Sequence, residues 1–180
     1  MLGIFYPGNY VEDVFSIDYE KLMAMGFKAL ILDIDNTLVP HGEDSTPAVD
    51  ALFNRLHAMG WGTLLLSNNN RARIERFKEN FDTLYIEEAG KPNPACYHHA
   101  VEMLEVKPSE VIVIGDQLFT DIFGANRTGL ASILVKYIGY YKKEKKGIRR
   151  NLEKVVLWFY THSRRYKKAH DITLRTTLTQ

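Results

Sequence analysis

Short apolar runs alternate with amphipathic stretches through the middle of this chain, and their order constrains the fold more than any other feature. Five runs predict strands: Ala29–Ile34, Gly62–Leu66, Thr83–Ile86, Val111–Ile114 and Ala131–Val135. The first is expected to be buried on both faces, because its aliphatic residues follow one another without alternating with polar ones. Strands that alternate with helices are joined by right-handed crossovers, so the sequence predicts an α/β fold with a parallel sheet.

Helices are predicted between these strands, and the first has recognisable ends. They are expected at about residues 47–59, 71–81, 94–104 and 120–127. Thr46 can cap the first helix, Pro47 suits its first position, and Gly60 ends it. A chain of 180 residues is long enough for one domain with a full core and too short for two ordinary ones. The expected architecture is a Rossmann-like, doubly wound sheet of five strands with helices on both faces.

Polar residues stand directly after four of the predicted strands. These segments are Asp33-Ile34-Asp35-Asn36-Thr37, Ser67-Asn68-Asn69, Lys91-Pro92 and Gly115-Asp116, with Asp121 five residues further on. Ligands of such sheets gather at the carboxyl ends of the strands, beside the point where the strand order reverses. Each segment alone is explained by a turn, a helix cap or a solvated side chain. Their joint occurrence in this order predicts a functional site.

Asp33 and Asp35 lie two residues apart at the mouth of the first strand. Holding two carboxylates there costs free energy, because like charges repel and burial removes their water. A divalent cation offsets this cost, and Asp116 from a neighbouring strand can complete a set of hard oxygen ligands. The cofactor that these residues predict is Mg²⁺.

The other polar segments suit a phosphate ester. Lys91 can neutralise further negative charge, while the Ser67 hydroxyl and the backbone N–H groups around Asn68 can hold phosphoryl oxygens. The same cation would shield the charge of a phosphate dianion that is approached by an anionic nucleophile. Phosphoryl transfer demands little beyond positioning and charge neutralisation, and this set of residues supplies both.

Together, the segments that begin at Asp33, Ser67, Lys91 and Gly115 resemble the four motifs of the haloacid dehalogenase superfamily, over roughly residues 29–135. All four motifs are intact. The resemblance implies a phosphatase that acts through an aspartyl-phosphate, since an aspartate stands at the second acidic position of the first motif, where the dehalogenases lack it. Phosphate transfer to an acceptor other than water stays open.

The resemblance also implies a role for individual residues. It makes Asp33 the nucleophile and Asp35 the general acid and base. It implies that Ser67 binds the transferring phosphoryl group and that Lys91 stabilises the charge on Asp33 and on the phosphate. Asn68 is expected to join Ser67 and Lys91 in binding the substrate.

For Mg²⁺, the resemblance implies three ligands: the carboxylates of Asp33 and Asp116 and the backbone carbonyl of Asp35. Asp121 would lie nearby in a supporting role, orienting Lys91 or a metal-bound water. The cation is thus expected where the first and fourth predicted strands end.

The spacing of the motifs leaves no room for a cap domain. About thirty residues separate Asp35 from Ser67, and about two dozen separate Ser67 from Lys91. The chain is therefore expected to resemble the capless members of the superfamily, its subclass III, and to have an open site. Open sites suit substrates that bring their own bulk, such as proteins, nucleic acids or lipid head groups.

A second resemblance covers most of the chain. Pro7–Val11, Ser16–Asp18, Gly26–Leu30 and Asp33–Val39 are similar to a bacterial family related to the mitochondrial phosphatidylglycerophosphate phosphatases. It implies removal of the terminal phosphate of phosphatidylglycerophosphate, which leaves phosphatidylglycerol. The residues leave three alternatives open: a phosphatase of a polynucleotide end, a phosphatase of a small soluble phosphoester, and a non-catalytic scaffold with this fold.

The net charge of +1 conceals a strong asymmetry. From Lys136 to Gln180 the chain holds 13 Lys and Arg against 3 acidic residues, whereas residues 1–135 hold 10 basic and 19 acidic ones. This charge split predicts a phosphatase domain at 1–137, including an N-terminal extension, and a basic helical tail at 138–180.

Apolar residues of the tail repeat at helical spacing, and they are Ile148, Leu152, Val155, Val156 and Phe159. A basic amphipathic helix of this kind either packs on its own domain or lies on an anionic membrane, where each Lys or Arg near the surface adds roughly 1 kcal/mol. The expected partners are a phosphorylated substrate, with a phospholipid head group favoured, and an anionic membrane surface. Nucleic acid is not expected, because the sequence has no recognised nucleic-acid-binding motif.

The location expected from the sequence is cytoplasmic. The lone Cys96 cannot form an internal disulfide, and the first residues do not follow the pattern of a signal peptide. No apolar run approaches the roughly 20 residues that cross a bilayer. The basic tail adds a second expectation, which is that the protein binds peripherally to the inner face of the membrane.

Overall fold

A computed structural model describes residues 2–138, 148–168 and 171–174 of the chain. Its sheet contains β1 (Asn9–Val11), β2 (Ala29–Leu32), β3 (Gly62–Leu66), β4 (Leu84–Ile86), β5 (Val111–Gly115) and β6 (Ala131–Val135). The strands lie in the order β1-β6-β5-β2-β3-β4, and every neighbouring pair is parallel. The predicted α/β class with a Rossmann-like parallel sheet is confirmed. The chain leaves β2 towards one edge and later returns to β5, so the strand order reverses between these two strands.

In the described part of the chain the sheet has six strands, one more than the sequence predicted. The additional strand, β1, pairs with β6 from Asn9–Ile133 to Val11–Val135. Three residues are too few to show a period-two pattern, which is why this strand escaped sequence analysis. Gly8 precedes it and donates its N–H to the Ser132 carbonyl at 2.9 Å. A β-carbon at residue 8 would lie 2.8 Å from the same oxygen, so this edge of the sheet needs glycine there.

Seven α-helices are described: α1 (Tyr19–Ala24), α2 (Pro47–Ala58), α3 (Arg71–Phe77), α4 (Pro94–Met103), α5 (Phe123–Arg127), α6 (Ile148–Thr161) and α7 (Arg164–Lys168). The side chain of Thr46 caps α2 as the sequence predicts. Helix α3 ends earlier than predicted, at Phe77, but Phe81 stays buried and stacks on Phe53 at 4.1 Å between ring centroids. A π-helical turn, Leu118–Ile122, precedes α5, so the predicted helix at 120–127 is divided in two.

Both faces of the sheet are buried, which explains the continuous apolar runs. Leu30 and Leu32 of β2 belong to the core beneath α1, α2 and α3, and Ala29 and Ile31 belong to the core beneath α4 and α5. All four side chains are fully buried. The segment between β2 and β3 contains only α2 and loops, and that between β3 and α4 contains only α3, β4 and loops. No cap domain interrupts this described part of the fold, as predicted.

Helix α6 packs on the domain through Glu153, Val156 and Tyr160, which are buried. The Tyr160 ring lies against Tyr6, and Val156 belongs to a cluster that includes Leu134 of β6. Three apolar residues that the sequence places on one face of this helix are exposed to solvent, namely Leu152, Val155 and Phe159. Their neighbour Trp158 is 59% exposed. The predicted boundary at 137/138 falls just before residues 139–147, which lie outside the described ranges together with the lysine-rich stretch at 142–146. The side chain of Ile148 also lies outside the description. None of the described helices is long and apolar enough to cross a membrane.

Candidate active site

Lys91 connects two carboxylates at the carboxyl ends of the central strands. Its Nζ lies 2.5 Å from Asp33 Oδ1 and 2.8 Å from Asp121 Oδ1, and all three side chains are buried. Asp33 follows β2 directly, and its N–H donates to the Ile114 carbonyl of β5 at 3.0 Å. The second Asp121 oxygen, Oδ2, accepts the Gln117 N–H at 3.1 Å. Both oxygens of Asp121 are therefore occupied within the protein.

Asp116 follows β5 and pairs with a residue of the tail. Arg150 of α6 donates through Nη2 to Asp116 Oδ2 in a close ion pair and through Nη1 to the Asp116 carbonyl at 3.0 Å. Arg150 Nη1 also lies 2.9 Å from Glu153 Oε2, and Glu153 Oε1 accepts the Leu118 N–H at 3.1 Å. The tail helix thus reaches the centre of the predicted site.

Thr37 lies between the two remaining carboxylate oxygens. Its hydroxyl is 3.1 Å from Asp33 Oδ2 and 3.5 Å from Asp116 Oδ1. One ligand atom from each of Asp33, Asp116 and Asp121 lies within 4.8 Å of the others. Because Lys91 and Gln117 engage both oxygens of Asp121, Lys91 engages Asp33 Oδ1 and Arg150 engages Asp116 Oδ2, the carboxylate oxygens that stay available to a cation are Asp33 Oδ2 and Asp116 Oδ1.

The chemistry of this set fits a divalent cation. Four buried carboxyl groups, those of Asp33, Asp116, Asp121 and Glu153, face two cationic side chains, Lys91 and Arg150. When all four carboxyl groups are ionised, this cluster carries two more negative charges than positive ones. Among the described residues, no hydrogen bond ends on the Asp35 carbonyl, which leaves it free to coordinate. Hard oxygen donors with excess negative charge are what Mg²⁺ requires, so the site can hold such an ion.

Burial sets the protonation of this cluster. It raises the pKa of Asp33 from 3.8 to about 6, against the opposing effect of Lys91. Burial also raises the pKa of Asp116 well above its usual value, although Arg150 lowers it. For Lys91 burial acts in the opposite direction, but Asp121 and Asp33 outweigh it and raise the pKa of the ammonium group. Lys91 is therefore charged at neutral pH.

Asp35 lies in a different environment from Asp33. It accepts hydrogen bonds from the Gly42 N–H at 2.9 Å and from Asn69 Nδ2 at 2.6 Å, and it pairs with Arg73 Nη2 at 3.3 Å. His41 Nδ1 lies 3.5 Å from the same carboxyl group. Partial burial raises the pKa of Asp35, but these contacts outweigh it and leave the pKa below its usual value. The two aspartates of one motif are thus tuned in opposite directions.

Ser67 and Asn68 follow β3 and approach the same edge. The buried Ser67 Oγ accepts from the Asn69 N–H at 3.2 Å and from Asn69 Nδ2 at 3.0 Å, which leaves its own hydroxyl proton available. Asn68 Oδ1 accepts the Lys91 N–H at 2.9 Å, so the Asn68 side chain fixes the lysine loop. Among the described residues, no acceptor takes the Asn68 backbone N–H.

All the site residues predicted from the sequence therefore stand at one edge of the sheet. Side chains that contact these residues without having been predicted from the sequence include Thr37, Asn69, Arg73 and Arg150. Thr37 and Asn69 lie within the quoted motifs, so their position was a usable signal. Arg73 and Arg150 carry no local signal, because only the packing of α3 and α6 brings them to the site.

Comparison with known proteins agrees with this geometry. A family model of haloacid dehalogenase-like hydrolases matches residues 43–129. The chain is 38% identical over 132 residues to the Bacillus subtilis protein named Probable phosphatase YqeG, covering 73% of this chain and 77% of that protein. The chain belongs to the haloacid dehalogenase-like hydrolase family. It is a phosphatase of this family, as the motifs predicted.

Two further relatives widen the comparison. Phosphatidylglycerophosphate phosphatase 1 of Chlamydomonas reinhardtii is 30% identical over 143 residues, which cover 72% of this chain and 52% of that protein. The glyceraldehyde 3-phosphate phosphatases of two Pyrococcus species also match, and the chain spans less than half of their length. Among solved structures, D,D-heptose 1.7-bisphosphate phosphatase from B. bronchiseptica, complexed with magnesium and phosphate, has a similar fold. Its TM-score is 0.51 at 18% identity, covering 76% of this chain and 100% of that one.

Proposed function

We propose that this phosphatase hydrolyses a phosphomonoester through an aspartyl-phosphate on Asp33, with Mg²⁺ as cofactor and phosphatidylglycerophosphate as substrate. The observation that carries the reaction type is the pairing of the buried Asp33 with Lys91 beside Asp116. A carboxylate that is desolvated, oriented by an ammonium group and placed at a switch point between strands is suited to nucleophilic attack.

The reaction divides into two displacements at phosphorus. In the first, an Asp33 carboxylate oxygen forms a bond to phosphorus while the bond to the leaving alcohol oxygen breaks, and Asp35 gives that oxygen a proton. In the second, Asp35 takes a proton from water as the water oxygen attacks, which releases inorganic phosphate and restores Asp33. Lys91, Ser67 and the Asn68 N–H hold the phosphoryl oxygens during both.

Asp35 must change its protonation during this cycle. Its lowered pKa in the free protein suits the second step, in which it acts as a base. To act first as an acid, it must take up a proton when substrate binds. Binding of the phosphate dianion beside Asp35 favours this protonation, because a like charge nearby raises the pKa of a carboxyl group.

Asp33, Asp116 and the Asp35 carbonyl are the groups that would hold Mg²⁺, with Asp121 in support through Lys91. When bound, the ion would supply charge neutralisation between the phosphate and the attacking carboxylate. A protein of this fold has been crystallised with magnesium and phosphate, which agrees with the assignment.

The substrate class is inferred from the surroundings of the site. A pocket beside Asp116 is lined by Tyr10, Leu134 and Leu157, with Lys154 at its side. Such a lining suits a leaving group that carries apolar and anionic parts together. Phosphatidylglycerophosphate, the substrate in the name of the Chlamydomonas reinhardtii relative, has such a leaving group.

The same helix that reaches Asp116 also presents an exposed apolar face, made of Leu152, Val155, Trp158 and Phe159. Positive charge accompanies this face as a basic rim, formed by the exposed Lys154 in the same helix and by the exposed Arg164, Arg165 and Lys167 of α7, which follows it. We infer that this face, with its basic rim, lies on an anionic membrane and brings the site to head groups at the cytoplasmic surface. An apolar helix face ringed by basic residues is the pattern of helices that lie in the membrane interface.

The test is Mg²⁺-dependent phosphate release from phosphatidylglycerophosphate in mixed micelles, compared with a soluble phosphomonoester and a phosphorylated oligonucleotide. Asp33→Asn should abolish release, whereas the matched control Asp82→Asn changes a fully exposed carboxylate and should not. A strong preference for the lipid supports the proposal. Equal, weak activity on all three substrates would retain the phosphatase and remove the lipid assignment. A folded protein that releases phosphate from none of them would favour the scaffold alternative.

A further inference from the structure

The contact between Arg150 and Asp116 joins the tail helix to the candidate metal site. The guanidinium group holds Asp116 at two points, through Oδ2 and through the backbone carbonyl. Lys91 pairs instead with Asp33 and Asp121, so within the described residues Arg150 is the cation that pairs with Asp116. Without Arg150, Asp116 would lie buried beside other carboxylates with no opposing charge.

This contact also decides which way the carboxylate of Asp116 faces. With Oδ2 on Arg150, Oδ1 points to the side of Thr37 and Asp33, at 3.5 Å from the Thr37 hydroxyl. The planar guanidinium fork restrains the carboxylate in a way that a single ammonium charge does not. One oxygen of Asp116 is therefore held by the protein, and the other is left to coordinate.

Arg150 is itself firmly held. Glu153 accepts from its Nη1 at 2.9 Å, and the Tyr137 ring lies beneath the guanidinium carbon at 4.4 Å from the ring centroid. Glu153 in turn accepts the Leu118 N–H at the start of the π-helical turn that carries Asp121. Glu153 is thus buried because it joins Arg150 to the backbone of this turn.

We propose that Arg150 is a positioning residue for Asp116, so that the Mg²⁺ site is complete only when α6 is docked on the sheet. This inference rests on the metal assignment in the proposed function and not on the identity of the substrate. Groups that orient a metal ligand typically change metal affinity by about 10- to 100-fold when they are removed.

The experiment measures Mg²⁺ binding to the full chain by isothermal titration calorimetry without substrate. Arg150→Met should weaken binding by about 10-fold or more. Arg150→Lys should give an intermediate affinity, because the charge is retained and the fork is lost. The matched control is Lys28→Met, which breaks the Lys28–Glu110 ion pair of 2.7 Å at the opposite end of the sheet and should leave the affinity unchanged.

A merely structural role would lower the free energy of unfolding and leave the Mg²⁺ affinity as it was. Wild-type or tighter binding by Arg150→Met would therefore overturn the proposal. If that variant does not fold, Arg150→Lys decides, and an affinity equal to wild type overturns it. A wild-type chain that takes up no Mg²⁺ would overturn the metal assignment itself and this role with it. Excess Mg²⁺ should also restore most of the phosphatase rate of Arg150→Met but none of that of Asp33→Asn.

Discussion

The carboxyl group of Asp121 packs directly against the α-carbon of Gly115, so closely that a β-carbon at residue 115 would overlap it. In this position, the Oδ1 of Asp121 lies 2.8 Å from Lys91 Nζ and its Oδ2 accepts the Gln117 N–H. The glycine that precedes Asp116 thus has a defined physical role. It makes room for a second buried carboxylate beside the first.

Gly115→Ala should therefore displace Asp121 and, through it, Lys91. A misplacement of about 1 Å can cost about 100-fold in rate, so we expect phosphate release to fall by one to two orders of magnitude. Overpacking should also cost about 1–3 kcal/mol in the free energy of unfolding. Steady-state kinetics and urea unfolding measure the two effects. Gly3→Ala, where nothing lies within 4 Å of the new β-carbon, is the control. Wild-type kinetics in Gly115→Ala would show that the Asp121 position is not required.

Lys91 should matter for stability as well as for activity. Lys91→Met leaves Asp33 and Asp121 buried without their shared cation, and breaking such a buried pair costs about 3–5 kcal/mol. The pair of Lys28 and Glu110 is the comparison, because its lysine side chain is 62% exposed and surface pairs contribute about 0–1 kcal/mol. Urea unfolding of both Lys→Met variants at neutral pH in the absence of Mg²⁺ should give clearly different losses. If both variants lost a similar free energy of unfolding, the Lys91 charge would not be needed to stabilise the buried Asp33 and Asp121.

The raised pKa of Asp33 predicts how stability depends on pH in the metal-free protein. The folded state binds this proton more tightly than the unfolded chain, where the pKa is near 3.8. The resulting stabilisation is fully present below about pH 4 and is lost as the pH rises through about 6. Asp33→Asn removes this titration. Relative to wild type, it should gain on the order of 2–3 kcal/mol of unfolding free energy between about pH 4 and pH 8.

This pH experiment compares wild type and Asp33→Asn by urea unfolding in a metal chelator. The loss of the Lys91 contact in the variant adds a constant difference, so the change of that difference with pH is the quantity to follow. Parallel pH profiles would contradict a raised pKa for Asp33. The expected sign is a relative gain for the variant as the pH rises.

The part of the site that was predictable is the part that the strands place. Continuous aliphatic runs identify strands buried on both faces, and residues after such strands must meet at one edge of a parallel sheet. Asp33, Ser67, Lys91 and Asp116 come together for this reason. The roles assigned to them stay predictions, which the kinetic experiments address.

Residues brought in by helix packing were not predictable. Arg71 and Arg73 are equally basic and both begin α3, but it is Arg73 that reaches Asp35. Helix α6 shows the same limit more clearly. It carries apolar residues on its exposed side as well as on its buried side, so hydrophobicity alone does not tell which side packs on the sheet. The buried side contains Glu153, an acidic residue that a hydrophobicity pattern assigns to solvent. Within the described ranges, the partners that make this burial favourable are Arg150 and the Leu118 N–H.

The exposed apolar face of α6 yields a final prediction. Trp158→Ser combined with Phe159→Ser should reduce flotation with anionic phospholipid vesicles by about 10-fold or more, because burying a large apolar side chain contributes about 1.5–3 kcal/mol. Their rings contact each other at 5.0 Å between centroids, so they are expected to enter the interface together. Met25→Ser with Leu84→Ser, which removes two comparably exposed apolar residues elsewhere, is the matched control. High salt should weaken binding of the wild type, since screening removes the contribution of the basic rim. Equal flotation of both double variants would contradict the role of this face, because any apolar surface would then serve as well.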